Sequence, residues 1–337
     1  MSFVLPLALA AVLLAPARLF AWGCEGHQVV AYIAERELNP TALGNVNALL
    51  TDFPIDPTLH RFCGASFAAA SPMGDAATWA DDVRDSRGNG EWHFVDVPLA
   101  SAGQDPTQFC GSQGCVLVAI QEQLAILRAP GPNSAAKADA LRYIIHFTGD
   151  VHQPLHAATD NDRGGNCDPL TFNRKPHLSR GAYSPELHGI WDTDLVEELQ
   201  DRSDVEGPEA LAQLLDSEIT ADQRSQWTAS QPNDWAIEST KAAVSTAYSG
   251  LTKANGSAAT AADFANSEVN NSCDLGREKA IVAMGITAND QYRSAAEAVI
   301  EERLKRAGIR LAKLLNDTWP DSETLSEHRA LHSAAHQ

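Results

Sequence analysis

The sequence predicts a mainly α-helical (all-α) protein built as one helical domain with long loops, and three observations carry that prediction. Apolar residues recur at three- and four-residue spacing in five segments, period-two alternation is scarce, and no linker-like composition divides the chain. In order, the helical segments are HQVVAYIAERELN (27–39), AAKADALRYIIHF (135–147), PELHGIWDTDLVEEL (185–199), PEALAQLLDSE (208–218) and QYRSAAEAVIEERLKRAGIRLAKLLNDTW (291–319). The one extended candidate is WHFVDVPL (92–99), which carries its own proline. Residues 51–76, 98–112 and 157–184 are rich in Gly, Pro, Asn and Asp and read as long loops, more often functional than decorative in a helical domain.

Residues 1–21 form an apolar run interrupted by Pro16 and Arg18, too short to span a membrane comfortably, and read as a cleaved secretory signal peptide. The chain is therefore expected to be exported, periplasmic or extracellular, and free of membrane. The small-residue rule fits a cut after Ala15-Pro16-Ala17 better than one after Ala21, so both cleavage sites stay open. Cleavage after Ala21 leaves 316 residues: one domain over 22–319 and a polar tail, 320–337. This mature chain carries 24 basic and 44 acidic residues, a net charge of −20. Nucleic-acid binding through phosphate neutralisation by Lys and Arg is thereby excluded. A polyanionic substrate must be drawn by something other than side-chain charge.

All six cysteines lie in the mature chain, an even count suited to an oxidising compartment. Counting does not dictate their pairing. Cys110 and Cys115 in CGSQGC are the best local candidate, since two glycines permit the turn. For the rest, Cys24 with Cys63 and Cys167 with Cys273 is a working pairing that spacing does not establish.

The chemistry gathers around histidine. In HFTGDVHQPLH (146–156), His146 and Asp150 are four apart and share a helix face, and Pro154 then breaks the helix so that His156 can turn back. LHGIWD repeats the device with His188 and Asp192. Taken singly, each pair is better read as a surface ion pair or a cap. Together with Asp81 and Asp82 in TWADDVR and with His93 between two aromatics in EWHFVDV, they favour a metal site, and imidazole with carboxylate points to zinc.

In order, WGCEGH (22–27), WADDVR (79–84), WHFVD (92–96), CGSQGC (110–115), HFTGDVHQPLH (146–156), GGN (164–166), LHGIWD (187–192) and GIRLAKLLN (308–316) together resemble a known group. It is the secreted zinc-dependent single-strand nuclease family of the S-one/P-one type, within the phospholipase C/nuclease superfamily. The resemblance implies a helical fold with three zinc ions (Zn2+) in a cleft. Asp81, His93, His146 and Asp150 would hold one; His156, His188 and Asp192 a second; His27, Asp150 and the α-amino nitrogen and carbonyl of Trp22 a third, completed by signal removal.

The resemblance further implies an endonuclease and 3′-nucleotidase yielding 5′-nucleotides from single-stranded DNA and RNA. Water activated between zinc ions would attack phosphorus while another zinc stabilises the leaving oxygen. Asp96 would orient the water, Arg84 would contact phosphate, and Phe94 and Asn166 would bind a base. Each has a plainer alternative: a brace for Asp96, an ion pair for Arg84, core packing for Phe94. No protein partner is implied, and a monomer is expected. His152 reads as structural, and His328, His332 and His336 as incidental. Rival readings are a zinc-dependent phospholipase C, against which Asp192 stands where those lipases use glutamate, and a non-enzymatic zinc-sequestering protein.

Overall fold

The computed structural model describes residues 22–64, 69–175, 184–264 and 273–321; the leader and residues 322–337, with His328, His332 and His336, lie outside them. The order of elements begins with α1 (Cys24–Arg36), α2 (Pro40–Asp52), α3 (Pro72–Ala76) and α4 (Trp79–Arg87). It continues with α5 (Val116–Arg128), α6 (Ala135–Asp150), strand β1 (Thr171–Phe172), α7 (Leu187–Gly189) and α8 (Leu195–Arg202). Then come α9 (Gly207–Glu218), α10 (Ala221–Thr228), α11 (Pro232–Ala242), α12 (Ala261–Phe264), α13 (Leu275–Met284), β2 (Thr287–Ala288) and α14 (Asp290–Thr318). The fold is mainly α; the two strands pair in parallel over two residues, Thr171 with Thr287 and Phe172 with Ala288.

Local chemistry sets the helix ends. Asn39 caps α2 by accepting from Ala42 N at 2.8 Å, with Pro40 pre-set at the first helical position. Ser134 caps α6 and Asn289 caps α14, again through their side chains. Helix α4 stops at Gly88, whose φ of 64° is the left-handed conformation glycine tolerates.

The longest helix, α14, is the spine: it packs against α1, α6, α8 and α10. Its Leu304, Leu311 and Leu315 are fully buried, each worth about 1.5–3 kcal/mol against exposure. Gly308 is required at the crossing with α1, because a Cβ there would strike Ile33. The buried apolar residues form one continuous cluster.

Two sequence expectations change. WHFVDVPL opens inside a 3₁₀ turn (Gly90–His93), and its remaining residues pair irregularly with 156–159 rather than as a strand: Val95 N donates to His156 O at 2.9 Å, and Thr159 N to Val97 O at 3.0 Å. Helices α2, α3, α4, α5, α10, α11, α12 and α13 come in addition to the five expected segments. Helix α5 is apolar on most of its surface and α10 polar on most of its own, so neither shows a clean stripe.

Candidate metal centre

Five stretches of chain bring donors together around the end of α6. Asp150 is the last residue of that helix, His146 lies one turn earlier, and a 3₁₀ turn over Pro154–His156 carries His156 back. Asp81 sits in the first turn of α4, and His93 closes the Gly90–His93 turn. His188 lies in α7; Asp192 comes next in a π-helical turn, Ile190–Asp194, a wide turn common at functional sites.

The distances suit donors that could share a metal ion. His93 Nδ1 stands 3.1 Å from His146 Nε2 and 3.1 Å from Asp150 Oδ2, and His146 Nε2 stands 3.3 Å from Asp150 Oδ2. Asp81 Oδ1 is 3.6 and 3.7 Å from the same two nitrogens. Bonds of 2.0–2.1 Å to a tetrahedral zinc give ligand–ligand edges of about 3.3 Å, so this donor set fits such an ion. A second set joins His188 Nε2 to Asp192 Oδ2 at 3.1 Å and to His156 Nε2 at 3.1 Å. A third group is His27, His146 and Asp150, with His27 Nε2 3.3 Å from Asp150 Oδ1. Asp150 thus turns one oxygen to each of two neighbouring sets.

Proton placement decides what these contacts mean. His146, His156 and His188 each donate from Nδ1 to a carbonyl, of Ala77, His93 and Gly164, at 2.7, 2.8 and 2.7 Å. In neutral rings the Nε2 atoms then carry lone pairs, and those of His156 and His188 repel each other at 3.1 Å. A cation there removes the repulsion. Both Asp150 oxygens, Asp81 Oδ1, His93 Nε2 and both nitrogens of His27 are buried with no hydrogen-bond partner, which is costly unless another ligand takes them.

Electrostatics agree. Burial pushes the Asp81 carboxyl up to about 7 against the pull of Arg84, and Asp192 up to about 6. Burial, then Asp81 and Asp192, lifts Asp150 well above the carboxylate range. Burial drives His27 and His93 well down, and His146 to about 3. Burial disfavours bare carboxylates here and keeps the imidazoles of His27, His93 and His146 neutral, the form able to bind a metal.

Trp22 is fully buried beside this group, its indole donating to Gly149 O at 2.9 Å. Arg84 lies 3.9 Å from Asp81 through Nη1 and is mostly buried. Asp96 is exposed between buried Val95 and Val97, two residues past Phe94. A cavity of about 270 Å³ adjoins His188 and Asp192; Asn166 lines it and Phe94 does not. The structure therefore does not bring these two together at that cavity. The Asn166 amide donates to Arg163 O at 2.7 Å. His60 is exposed and apart.

His152 faces away from the donors. Its Nδ1 bonds Thr148 O at 2.7 Å and its Nε2 accepts from Arg310 at 2.9 Å, within a network where Arg303, Arg306 and Arg310 converge on Glu238. Two supports escaped sequence reasoning. Buried Gln153 donates to Asp192 Oδ1 at 2.5 Å, and Asp82 accepts from Arg61 Nε and Phe62 N rather than joining Asp81 at the metal group. Gln153 stands between the donors Asp150 and His156, but nothing in that placement names Asp192 as its partner. Disulfides join Cys24 to Cys63, Cys110 to Cys115 and Cys167 to Cys273. The first fastens the 61–64 loop to the start of α1, three residues before His27.

A family model described as S1/P1 Nuclease matches residues 22–320. The chain belongs to the S1/P1 nuclease family. Nuclease S1 of Aspergillus oryzae is 30% identical over 324 residues, covering 94% of this chain and 98% of that protein. Endonuclease 2 of Arabidopsis thaliana is 26% identical over 90% of this chain and 93% of its own length. Nuclease P1 of Penicillium citrinum is 31% identical over 185 residues, 53% of this chain and 59% of that one. Among the described residues of this S1/P1 nuclease, no helix is long and apolar enough to cross a membrane.

Proposed function

We propose that this S1/P1 nuclease is an exported endonuclease that hydrolyses single-stranded DNA and RNA to 5′-nucleotides, with 3′-nucleotidase activity at the same site and three zinc ions per chain. The observation that carries the reading is Asp150: a fully buried carboxylate with both oxygens unpartnered, each turned to a different donor set. Asp81, His93, His146 and Asp150 would hold one zinc, and His156, His188 and Asp192 another. His27, Asp150 and the amine and carbonyl of Trp22 would hold the third. Bound zinc would supply positive charge to an acidic protein and activate water toward phosphorus.

The remaining work falls to the chain. Arg84, 3.9 Å from Asp81 and 3.7 Å from Asp85, offers its guanidinium to a phosphate oxygen. Asp96 accepts a hydrogen bond from the attacking water and orients it. Asn166 meets a base edge and Phe94 stacks a base; such contacts need a base out of the duplex, which accounts for single-strand preference. Three disulfides and the family match beginning at Trp22 support export, a mature start at Trp22 and a nuclease domain over 22–319. The protein acts as a monomer, free of membrane.

Purified mature protein, supplied with zinc, should cleave single-stranded DNA, RNA and a 3′-mononucleotide far faster than duplex DNA, and leave phosphatidylcholine vesicles intact. Lipid cleavage without nucleic-acid cleavage would overturn the reading. Zinc bound without turnover on any of these substrates, unchanged by Asp96→Asn, is the result expected of a zinc-sequestering protein and would overturn it too. N-terminal sequencing with a metal count tests the trinuclear model: a first residue other than Trp22, or fewer than three tightly held ions, removes it.

A further inference from the structure

We infer a second, chemically different metal site outside the cleft: an all-oxygen site for a calcium-type cation, held by Asp162 and Asp168. Both residues are fully buried, and they are unequally provided for. Asp162 Oδ1 accepts from Asp160 N at 3.0 Å and Thr159 Oγ1 at 3.3 Å, and its Oδ2 accepts from the Tyr248 hydroxyl at 2.7 Å. Neither oxygen of Asp168 has a hydrogen-bond partner, although its carboxyl lies within hydrogen-bond reach of Asp162.

The charges that push the Asp168 carboxyl up are those of Asp162, Asp160 and Glu186. Burial first, and those neighbours next, push its carboxyl well above the ordinary range, so the pair does not carry two charges unaided. A proton shared between the carboxyl groups answers one oxygen of Asp168 and leaves its other oxygen buried and bare, which is costly. A cation drawing on both carboxylates answers both. The donors are oxygens alone, without imidazole or thiolate, which suits calcium and not zinc.

The site has a structural task. The same loop presents the Gly164 carbonyl to His188 and places Asn166 on the cavity wall, while Cys167 is tied to Cys273. A cation between Asp162 and Asp168 pins the loop from within. This inference stands apart from the nuclease reading and is tested without turnover.

Mature protein is kept in excess zinc, in buffer freed of calcium. Equilibrium dialysis with radioactive calcium should find one ion per chain. Calcium at a hundredfold excess over its Kd should raise Tm by about 4 °C. Terbium should show luminescence excited through Tyr248 and displaced by calcium, and Asp168→Asn should lose both signals. No calcium bound by wild type overturns the inference, as does an Asp168→Asn variant that binds calcium as wild type does. Wild-type stability in Asp168→Asn, with no calcium response in either protein, would assign the pair to a shared proton instead. The dialysis result on wild type decides the matter even if the variant fails to fold.

Discussion

Replacing Gly149 by alanine separates the stability of α6 from the geometry of the site it carries. A Cβ at this position would stand 2.8 Å from His27 Nδ1 and 3.1 Å from its Cε1. Relaxed contacts lie near 3.5–4.0 Å, so the imidazole must retreat by roughly 0.7 Å. It has little room, being stacked on His146 at 3.9 Å between ring centroids and buried. Alanine in a helix gains about 1 kcal/mol over glycine, while overpacking costs about 1–3 kcal/mol, so net stability should fall by no more than about 2 kcal/mol. The His27–Asp150 donor pair, however, is displaced by most of an ångström. Misplacement on that scale costs on the order of a hundredfold in rate. Urea midpoints, metal per chain and turnover on a single-stranded oligonucleotide should show a folded protein with one metal fewer and activity down about a hundredfold. Wild-type metal content and turnover in Gly149→Ala would refute the placement of His27 at the centre.

The same structure sets three other outcomes. In the metal-free protein the raised carboxyls of Asp81 and Asp192 contribute stability that is present below their ordinary value of 3.8 and lost as pH rises through about 6 and about 7. Zinc needs the deprotonated forms, so the Tm gap between zinc-loaded and metal-free protein should widen from pH 5 to 7.5; a constant gap in scanning calorimetry contradicts it. Against the upward push of burial, Arg310 and Arg303 hold the Glu238 carboxyl down to about 2, so its stabilising effect is full above 4.5 and lost as pH falls through about 2. Glu238→Gln should therefore cost about 3 kcal/mol at pH 7, with the deficit shrinking in acid denaturation series below pH 4.5. Gly308→Ala drives a methyl into Ile33 and should cost about 3 kcal/mol by urea titration, with partial rescue by Ile33→Ala.

Several donors were legible because their partners are local. His146 with Asp150 and His188 with Asp192 are set by helical spacing, and a proline between Asp150 and His156 announces the turn that returns His156. The motif order also pointed to the family to which the chain belongs. The supports were illegible for a physical reason: a hydrogen bond from Gln153 to Asp192, or from the Trp22 indole to Gly149, joins residues 39 and 127 apart and leaves no periodic trace. Asp81 and Asp82 look alike in WADDVR; neighbouring helix positions point in different directions, and Arg61 claims one while the donor cluster takes the other.

The helical class and the residue types able to ligate were written in the order of amino acids, because periodicity and side-chain chemistry are local properties. Which oxygen of Asp150 meets which donor set, that His152 turns to Arg310 rather than to a metal, and that Asp168 is buried without a partner emerge with the folded chain alone. Those outcomes depend on how α14, α6 and the 159–168 loop pack together, and packing is settled by contacts between segments far apart in the chain.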